Sequence, residues 1–321
     1  ALERQTGDAD DEASQVRFHV IMSKSPPVAD AGAPATTPEG TNVELNGTGS
    51  SDPDGDITTY AWDLDGDGAC DDVANDPTPD FTAVGQDGVT TVKLCLTDAV
   101  GLKDEDTTTV TVTNVTPSIT ASSNAPMSEN TAVTVSGTFT DPGWLDPLSG
   151  TISWGDGSAT SALGGSLENV RPDATFTFTA SHTYGDNGTW TAQVCAADDD
   201  TSPCTTLQVV ISNTAPTATI DLSGAVSVNG TPTVIARAGQ TVAFGGRSTD
   251  PGSDDLALAW AWGDGTPGST TTSLVNPPNP DPALSPSIQP RDVPSLQSHA
   301  FAGACVYESS FTATDDDAGS T

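Results

Sequence analysis

An all-β fold, built as three tandem two-sheet sandwiches, is what this sequence predicts, and three observations predict it. Turn formers are abundant, with 31 glycines and 24 prolines in 321 residues, and they separate Thr/Val tracts that favour a pleated, half-buried backbone. Apolar residues alternate with polar ones, as in Val92-Lys93-Leu94-Cys95-Leu96, the pattern of a strand with one face in a core. One arrangement also recurs along the chain: an Asp-Pro turn (Asp52-Pro53, Asp141-Pro142, Asp250-Pro251) leads into a strand marked by a tryptophan (Trp62, Trp154, Trp262).

Taken in order, residues 1–25 form an N-terminal extension with a strand at about 14–23, where Val16, Phe18 and Val20 alternate with Arg17 and His19. Module 1 spans 26–114, module 2 spans 115–213 and module 3 spans 214–321, each of a length that holds roughly seven short strands. The tryptophans supply large apolar anchors between two sheets, and the glycines after them allow turns that most residues could not adopt. Downstream, Ser181-His182-Thr183-Tyr184 and Ser298-His299-Ala300-Phe301 stand at one and the same distance before the acidic triplets Asp198–Asp200 and Asp315–Asp317. Closing strands follow at Thr107–Thr113 in module 1 and Thr205–Ser212 in module 2, whereas module 3 ends without one. Thr116-Pro117 and Ala215-Pro216 open the next modules, leaving almost no linker.

Charge and cysteine usage narrow the function. Nine Lys and Arg against 44 Asp and Glu give a formal charge of -35, which excludes nucleic acid or an anionic membrane surface as a natural partner. No apolar run reaches the roughly 20 residues of a membrane span, so no membrane insertion is expected. Cys195 and Cys204 would close a single hairpin, and Cys70 and Cys95 lie in one module. Two disulfides fit an extracellular or cell-surface compartment, with reduced thiols as the alternative, and Cys305 is left over. Only three histidines are present, His182 and His299 at equivalent positions, and no nucleophile elbow, zinc-protease helix or phosphate loop occurs. The expectation is a protein that is not an enzyme.

Two kinds of site stand out. Asp63-Leu64-Asp65-Gly66-Asp67-Gly68 places hard oxygen donors at alternate positions, so Asp63, Asp65 and Asp67, the Ala69 carbonyl, and Asp71 with Asp72 form a candidate Ca2+ loop, although Ala74 occupies the place of the usual closing glutamate. Asp52, Asp54 and Asp56 and the two acidic triplets are weaker candidates, explained by turn chemistry. The sequons at Asn46, Asn114, Asn187 and Asn229 are acceptors for glycosylation in a secreted chain.

Asp52-Pro53-Asp54-Gly55, Trp62-Asp63 with its Gly-Asp-Gly continuation, His182-Thr183-Tyr184 and the strand ending in Asp resemble PKD (polycystic-kidney-disease) repeats over residues 26–321. Module 2 departs from the pattern after Pro142, and module 3 carries a proline-rich insertion between Gly265 and His299. The resemblance implies immunoglobulin-like sandwiches in a surface protein or an accessory of a secreted hydrolase, where they space, bind or assemble.

A spare strand at one end and a missing one at the other imply donor-strand linkage: Val16, Phe18, Val20 and Met22 of one copy would complete module 3 of another, building a head-to-tail fibre stiffened by calcium. The competing readings are a segment cut from a longer polypeptide and fold-back of the strand onto its own chain. The alternative function is an adhesive or carbohydrate-binding array, with Trp144 as the candidate exposed aromatic.

Overall fold

The computed structural model describes residues 17, 19–20, 23–83, 85, 87–273 and 290–317. Among them there are only strands and turns, and no helix is long and apolar enough to cross a membrane.

Module 1 contains β1 (Ala35–Pro38), β2 (Asn42–Glu44), β3 (Ile57–Asp63), β4 (Val73–Ala74), β5 (Asp80–Thr82), β6 (Gly88–Asp98) and β7 (Lys103–Thr113). They form one sheet in the order β1-β7-β6-β3-β4 and a second, β2-β5. Module 2 contains β8 (Ser118–Ser123), β9 (Met127–Ser128), β10 (Ala132–Asp141), β11 (Ser149–Ser153), β12 (Ser161–Ala162), β13 (Gly165–Val170), β14 (Asp173–Thr183), β15 (Gly188–Ala197) and β16 (Cys204–Ser212). Its sheets run β13-β14-β10-β8 and β12-β11-β15-β16-β9. Module 3 contains β17 (Thr217–Ile220), β18 (Val226–Val228), β19 (Thr231–Thr233), β20 (Thr241–Asp250), β21 (Leu256–Ala261), β22 (Ser269–Ser273), β23 (Arg291–Ala300) and β24 (Ser310–Thr314), with sheets β17-β20-β23 and β22-β21-β24 and a hairpin β18-β19.

Every sheet draws on one module alone, so the array consists of three sandwiches of the all-β class. By contacts the chain divides into two compact units. One holds Ala1–Thr37, Asn42–Thr82 and Gly88–Val112; the other holds Pro38–Thr41, Ala83–Asp87 and Thr113–Thr321.

Strand alternation builds each core. Along β6 the residues Val92, Leu94 and Leu96 are buried while their neighbours face outward, and Trp62 of β3 packs on the same side with its indole N–H donated to the Asp76 carbonyl at 2.9 Å. In module 2, Phe139 is fully buried, with its ring centroid 5.6 Å from Phe176 and 4.9 Å from Phe178. β16 adds Val209 and Ile211 to that core. Module 3 encloses a smaller core of Leu256, Leu258, Trp260, Trp262, Phe311 and Ala313.

Register revises the sequence repeat. Trp62 lies opposite Leu94, Ile152 opposite Val194, and Trp260 opposite Phe311, and these partners all stand four residues before a conserved-register aspartate (Asp98, Asp198, Asp315). The counterpart of Trp62 is therefore Trp260, and Trp154 and Trp262 form a second equivalent pair two residues further on. A two-residue offset leaves the side chain on the same face of a strand, which is why aligning by tryptophan alone could not separate the two.

The strand arrangement also differs at the end of module 3. β6 is flanked by β3 and β7, and β15 by β11 and β16, but β24 is paired only with β21 among the described residues. The donor-strand positions Val16, Phe18 and Met22 lie outside the described residues; Val20 is described and exposed.

Phe139→Ala removes a ring from the centre of module 2 without touching a polar group, and large-to-small changes at such sites cost about 3–5 kcal/mol. The expected outcome is a loss of that size in the module 2 transition, followed by chemical denaturation. A loss under about 1 kcal/mol would mean the core collapses around the gap.

Candidate functional site

The local chemistry of the Asp-Pro turns creates the most unusual feature of the molecule. At the end of β10, one oxygen of Asp141 accepts the Gly143 amide at 2.7 Å, and at the end of β20 Asp250 accepts the Gly252 amide at 2.7 Å. These bonds fix a turn after proline, a common aspartate role. The other oxygen of each aspartate is buried with no partner.

Around each turn further carboxylates converge within the larger unit. Glu39, Asp141 and Asp146 bring one oxygen each to within 4.8 Å of one another, and so do Glu129, Asp186 and Asp254. All six are buried, none more than 3% exposed. Glu39 accepts the Val115 amide with one oxygen, and Glu129 accepts the Thr214 amide. The remaining oxygens, Glu39 Oε1 and Glu129 Oε2, have no partner, nor does either carboxylate oxygen of Asp146 or Asp254. Behind them, Asn114 donates to Asp198 at 3.3 Å and Asn213 donates to Asp315 at 2.9 Å.

Glycine is required for this closeness. A Cβ on Gly143 would lie 2.3 Å from Asp146 Oδ2, and one on Gly252 would lie 2.6 Å from Glu129 Cδ, so either side chain would push the carboxylates apart.

The electrostatic consequence is large. Burial, then the Glu129, Asp250, Asp186 and Asp315 carboxylates, pushes Asp254 up to about 9. Burial first, then Glu39 and neighbouring aspartates, pushes Asp146 up to about 7. Burial likewise pushes Glu129 up to about 7, against the lowering effect of the Thr214 amide.

Module 1 carries the same constellation in a different state. Asp52, Asp56 and Asp98 cluster at the corresponding turn, and there Lys24 places its ammonium 2.7 Å from Asp56 Oδ2.

The candidate calcium loop is organised largely by its own amides. Asp63, Asp65 and Asp67 do come within 4.8 Å, but both oxygens of buried Asp63 accept backbone N–H groups, from Gly66 and Gly68 at 2.8 Å each. Asp67 accepts the Ala69 amide, and Asp72 accepts those of Leu64 and Asp65. Asp71 is exposed, and Lys93 donates to the Gly68 carbonyl at 2.8 Å.

The other sequence candidates fall as follows. Cys70 and Cys95 are joined at 2.05 Å, Cys195 and Cys204 at 2.00 Å, and Cys305 is free and exposed. Asn46 and Asn229 are exposed and Asn187 is half-buried, while the Asn114 amide nitrogen that would carry a glycan is committed to Asp198. Trp144 is half-buried, and its ring is covered by the Arg171 guanidinium 5.2 Å from the centroid.

The repeated histidines are structural locks. His182 stacks on Trp154 and contacts Asp156 at 2.6 Å; His299 stacks on Trp262 and contacts Asp264 at 2.7 Å. Both sets close the Trp-Gly-Asp-Gly turn against the strand that carries the histidine.

Sequence reasoning missed Glu39, Glu129, Asp146 and Asp254. The available signal was the pairing of Glu39-Gly40-Thr41 with Glu129-Asn130-Thr131, each with a left-handed residue after the glutamate (φ 71 and φ 52).

Comparison with known proteins identifies module 1 first: residues 24–113 match the PKD domain family model. The match covers module 1 alone, so the chain is an array of all-β sandwiches whose first module is similar to a PKD domain. Among solved structures, the mouse nectin-like molecule 4 ectodomain (Ig1–Ig3) is similar at 11% identity, with 86% of this chain and 100% of that one covered and a TM-score of 0.33. The ICAM-5 D1–D4 ectodomain fragment is similar at 15% identity, covering 86% of this chain and 75% of that one, with a TM-score of 0.35. A structure of carbohydrate-binding modules from the β-sandwich superfamily is similar at 15% identity, covering 93% and 99%, with a TM-score of 0.24. No curated protein sequence matches the chain.

The Asp264 lock has a defined pH signature. Hydrogen bonds from Thr266, then His299, hold its carboxylate down at about 2. A carboxyl depressed below its unfolded value, about 3.9, stabilises the fold above that value and loses the contribution as pH falls toward 2. The thermal midpoint of the wild type should exceed that of Asp264→Asn at pH 5, with the gap closing between about pH 4 and pH 2. A gap that stays constant over this range would exclude an ionised lock.

Proposed function

We propose that the chain is a structural protomer of an extracellular fibre or surface appendage, in which the N-terminal strand of one copy completes module 3 of another. The observation that carries this reading is that β24 pairs only with β21 among the described residues, whereas its counterparts β6 and β15 each have a second neighbouring strand. An unpaired edge presents a row of backbone donors and acceptors to any strand of matching pattern. Among the described residues the core of module 3 has no contribution like that of Val209 and Ile211, which leaves apolar work for such a strand to do. Val16, Phe18, Val20 and Met22 have the alternation to do it. The two cross-links, Cys70–Cys95 and Cys195–Cys204, support an oxidising, extracellular setting. Carbohydrate binding gains less support, because Arg171 already covers the Trp144 face that a sugar would need. A non-catalytic role is supported by the His182–Asp156 and His299–Asp264 pairs, which close turns.

Negative-stain imaging of the full chain and of a variant lacking residues 1–25 tests the proposal. Fibres from the full chain, none from the deletion, and capping of growing fibres by an added peptide of residues 10–25 are expected. Monomers from the full chain, or fibres from both, would overturn it.

A further inference from the structure

We infer that the larger unit holds two Ca2+ sites, one at Glu39, Asp141 and Asp146 and one at Glu129, Asp186 and Asp254 with Asp250 beside it, distinct from the Asp63 loop and independent of strand donation. Acidic clusters on a surface are commonplace, but these carboxylates are buried, and in each cluster a whole aspartate, Asp146 or Asp254, brings one oxygen to its neighbours and has neither oxygen hydrogen-bonded. Leaving one ionised carboxylate buried and unanswered is strongly unfavourable, and here three are gathered at a time. A divalent ion answers all of them together.

The arrangement is also built twice. In each copy the glutamate follows the same plan, one oxygen anchored by the amide of the segment that opens the next module and the other left for the cluster. In each copy an Asp-Pro-Gly turn uses one aspartate oxygen internally and leaves the second, and a glycine makes room where a Cβ would strike a carboxylate. Two loops of different length, Asp141 to Asp146 and Asp250 to Asp254, arrive at the same result.

The remaining repeat positions act as internal controls. Module 1 has the turn cluster Asp52, Asp56 and Asp98 but its cation is Lys24. Module 3 has the loop that should carry a glutamate: Gly239 donates to the Phe301 carbonyl just as Gly40 does to Ala83 and Asn130 does to Tyr184, yet the preceding residue is Ala238. Among the described residues, no ion pair with Lys or Arg reaches Glu39, Asp141, Asp146, Glu129 or Asp254. Asp250 feels Arg291, whose guanidinium is bonded to Ser273. Glutamate is thus present at the two clusters that no Lys or Arg ion pair reaches among the described residues.

The donor set selects the metal. All-oxygen, largely carboxylate ligation suits a hard cation, and clusters gathered from flexible-length loops suit the larger, less geometrically strict Ca2+ over Mg2+.

The test is calorimetric titration of CaCl2 into the purified full chain after stripping with chelator, beside Asp146→Asn, Asp254→Asn, the double variant, and Asp65→Asn as the loop control. Asparagine keeps shape, and neither aspartate side chain holds a backbone amide, so folding in chelator is expected to be unimpaired and the thermal midpoint there raised. Each single variant should lose one calcium-binding event or weaken it at least ~10-fold, the double variant should lose two, and Asp65→Asn should lose neither. Calcium should raise the wild-type midpoint and leave that of the double variant unmoved. No calcium heat from the wild type, or a double variant that binds as the wild type does, would overturn the assignment.

Discussion

Burial of carboxylates at the sheet ends is the constraint around which the larger unit is organised. Asp141 and Asp250 sit at the last residue of long central strands, where the chain must leave the sheet and its amides lose their ladder partners. An aspartate followed by proline answers the freed Gly143 or Gly252 amide and directs the chain away. The second oxygen is then carried inward by geometry. What would elsewhere be an isolated penalty becomes organised here, because Glu39 or Glu129 arrives from a neighbouring loop with its own spare oxygen. Turn formation, anchoring of the following segment through Val115 or Thr214, and assembly of an oxygen cage are one set of bonds.

Lys24 shows what the same turn requires when no glutamate is involved. Its ammonium approaches Asp56, while Ser25 donates its amide to Asp54, so this cluster has a cation from the chain itself, although one oxygen each of Asp52, Asp56 and Asp98 is buried without a hydrogen-bond partner. The repeat has therefore diverged by charge more than by shape. The backbone bonds that define the loop at Gly40, Asn130 and Gly239 persist, and the residue before each changes from Glu to Glu to Ala.

Much of the fold was legible in the residue order, because period-two alternation and Asp-Pro turns are local signals that a sandwich cannot hide. The Cys70–Cys95 and Cys195–Cys204 pairs follow from cysteines spaced within one module. Tryptophan register was not legible, since Trp62 and Trp154 differ by two positions on one face and either would look correct. The carboxylate clusters were hidden for a stronger reason. Glu39 and Asp146 lie far apart in sequence and on loops, and in a chain with 44 acidic residues no single aspartate announces that it will be buried. The Asp63 loop drew notice by its density of aspartates, and there the Asp63, Asp65 and Asp67 carboxylates also accept nearby amides.

The two ends of module 3 make sense together in these terms. Its β20 end closes onto Glu129 and Asp254, a cluster complete within the unit once a cation is supplied. Its β24 edge, by contrast, lacks a backbone partner among the described residues, and no side-chain device there substitutes for one: the row carries Phe311 and Ala313 inward and Thr312 and Thr314 between. Carboxylate clusters are answered by small ions that are always exchangeable, whereas a strand edge is answered only by another strand. The two proposals are therefore separable, since chelation would remove a bound cation and deletion of residues 1–25 would remove the donor strand.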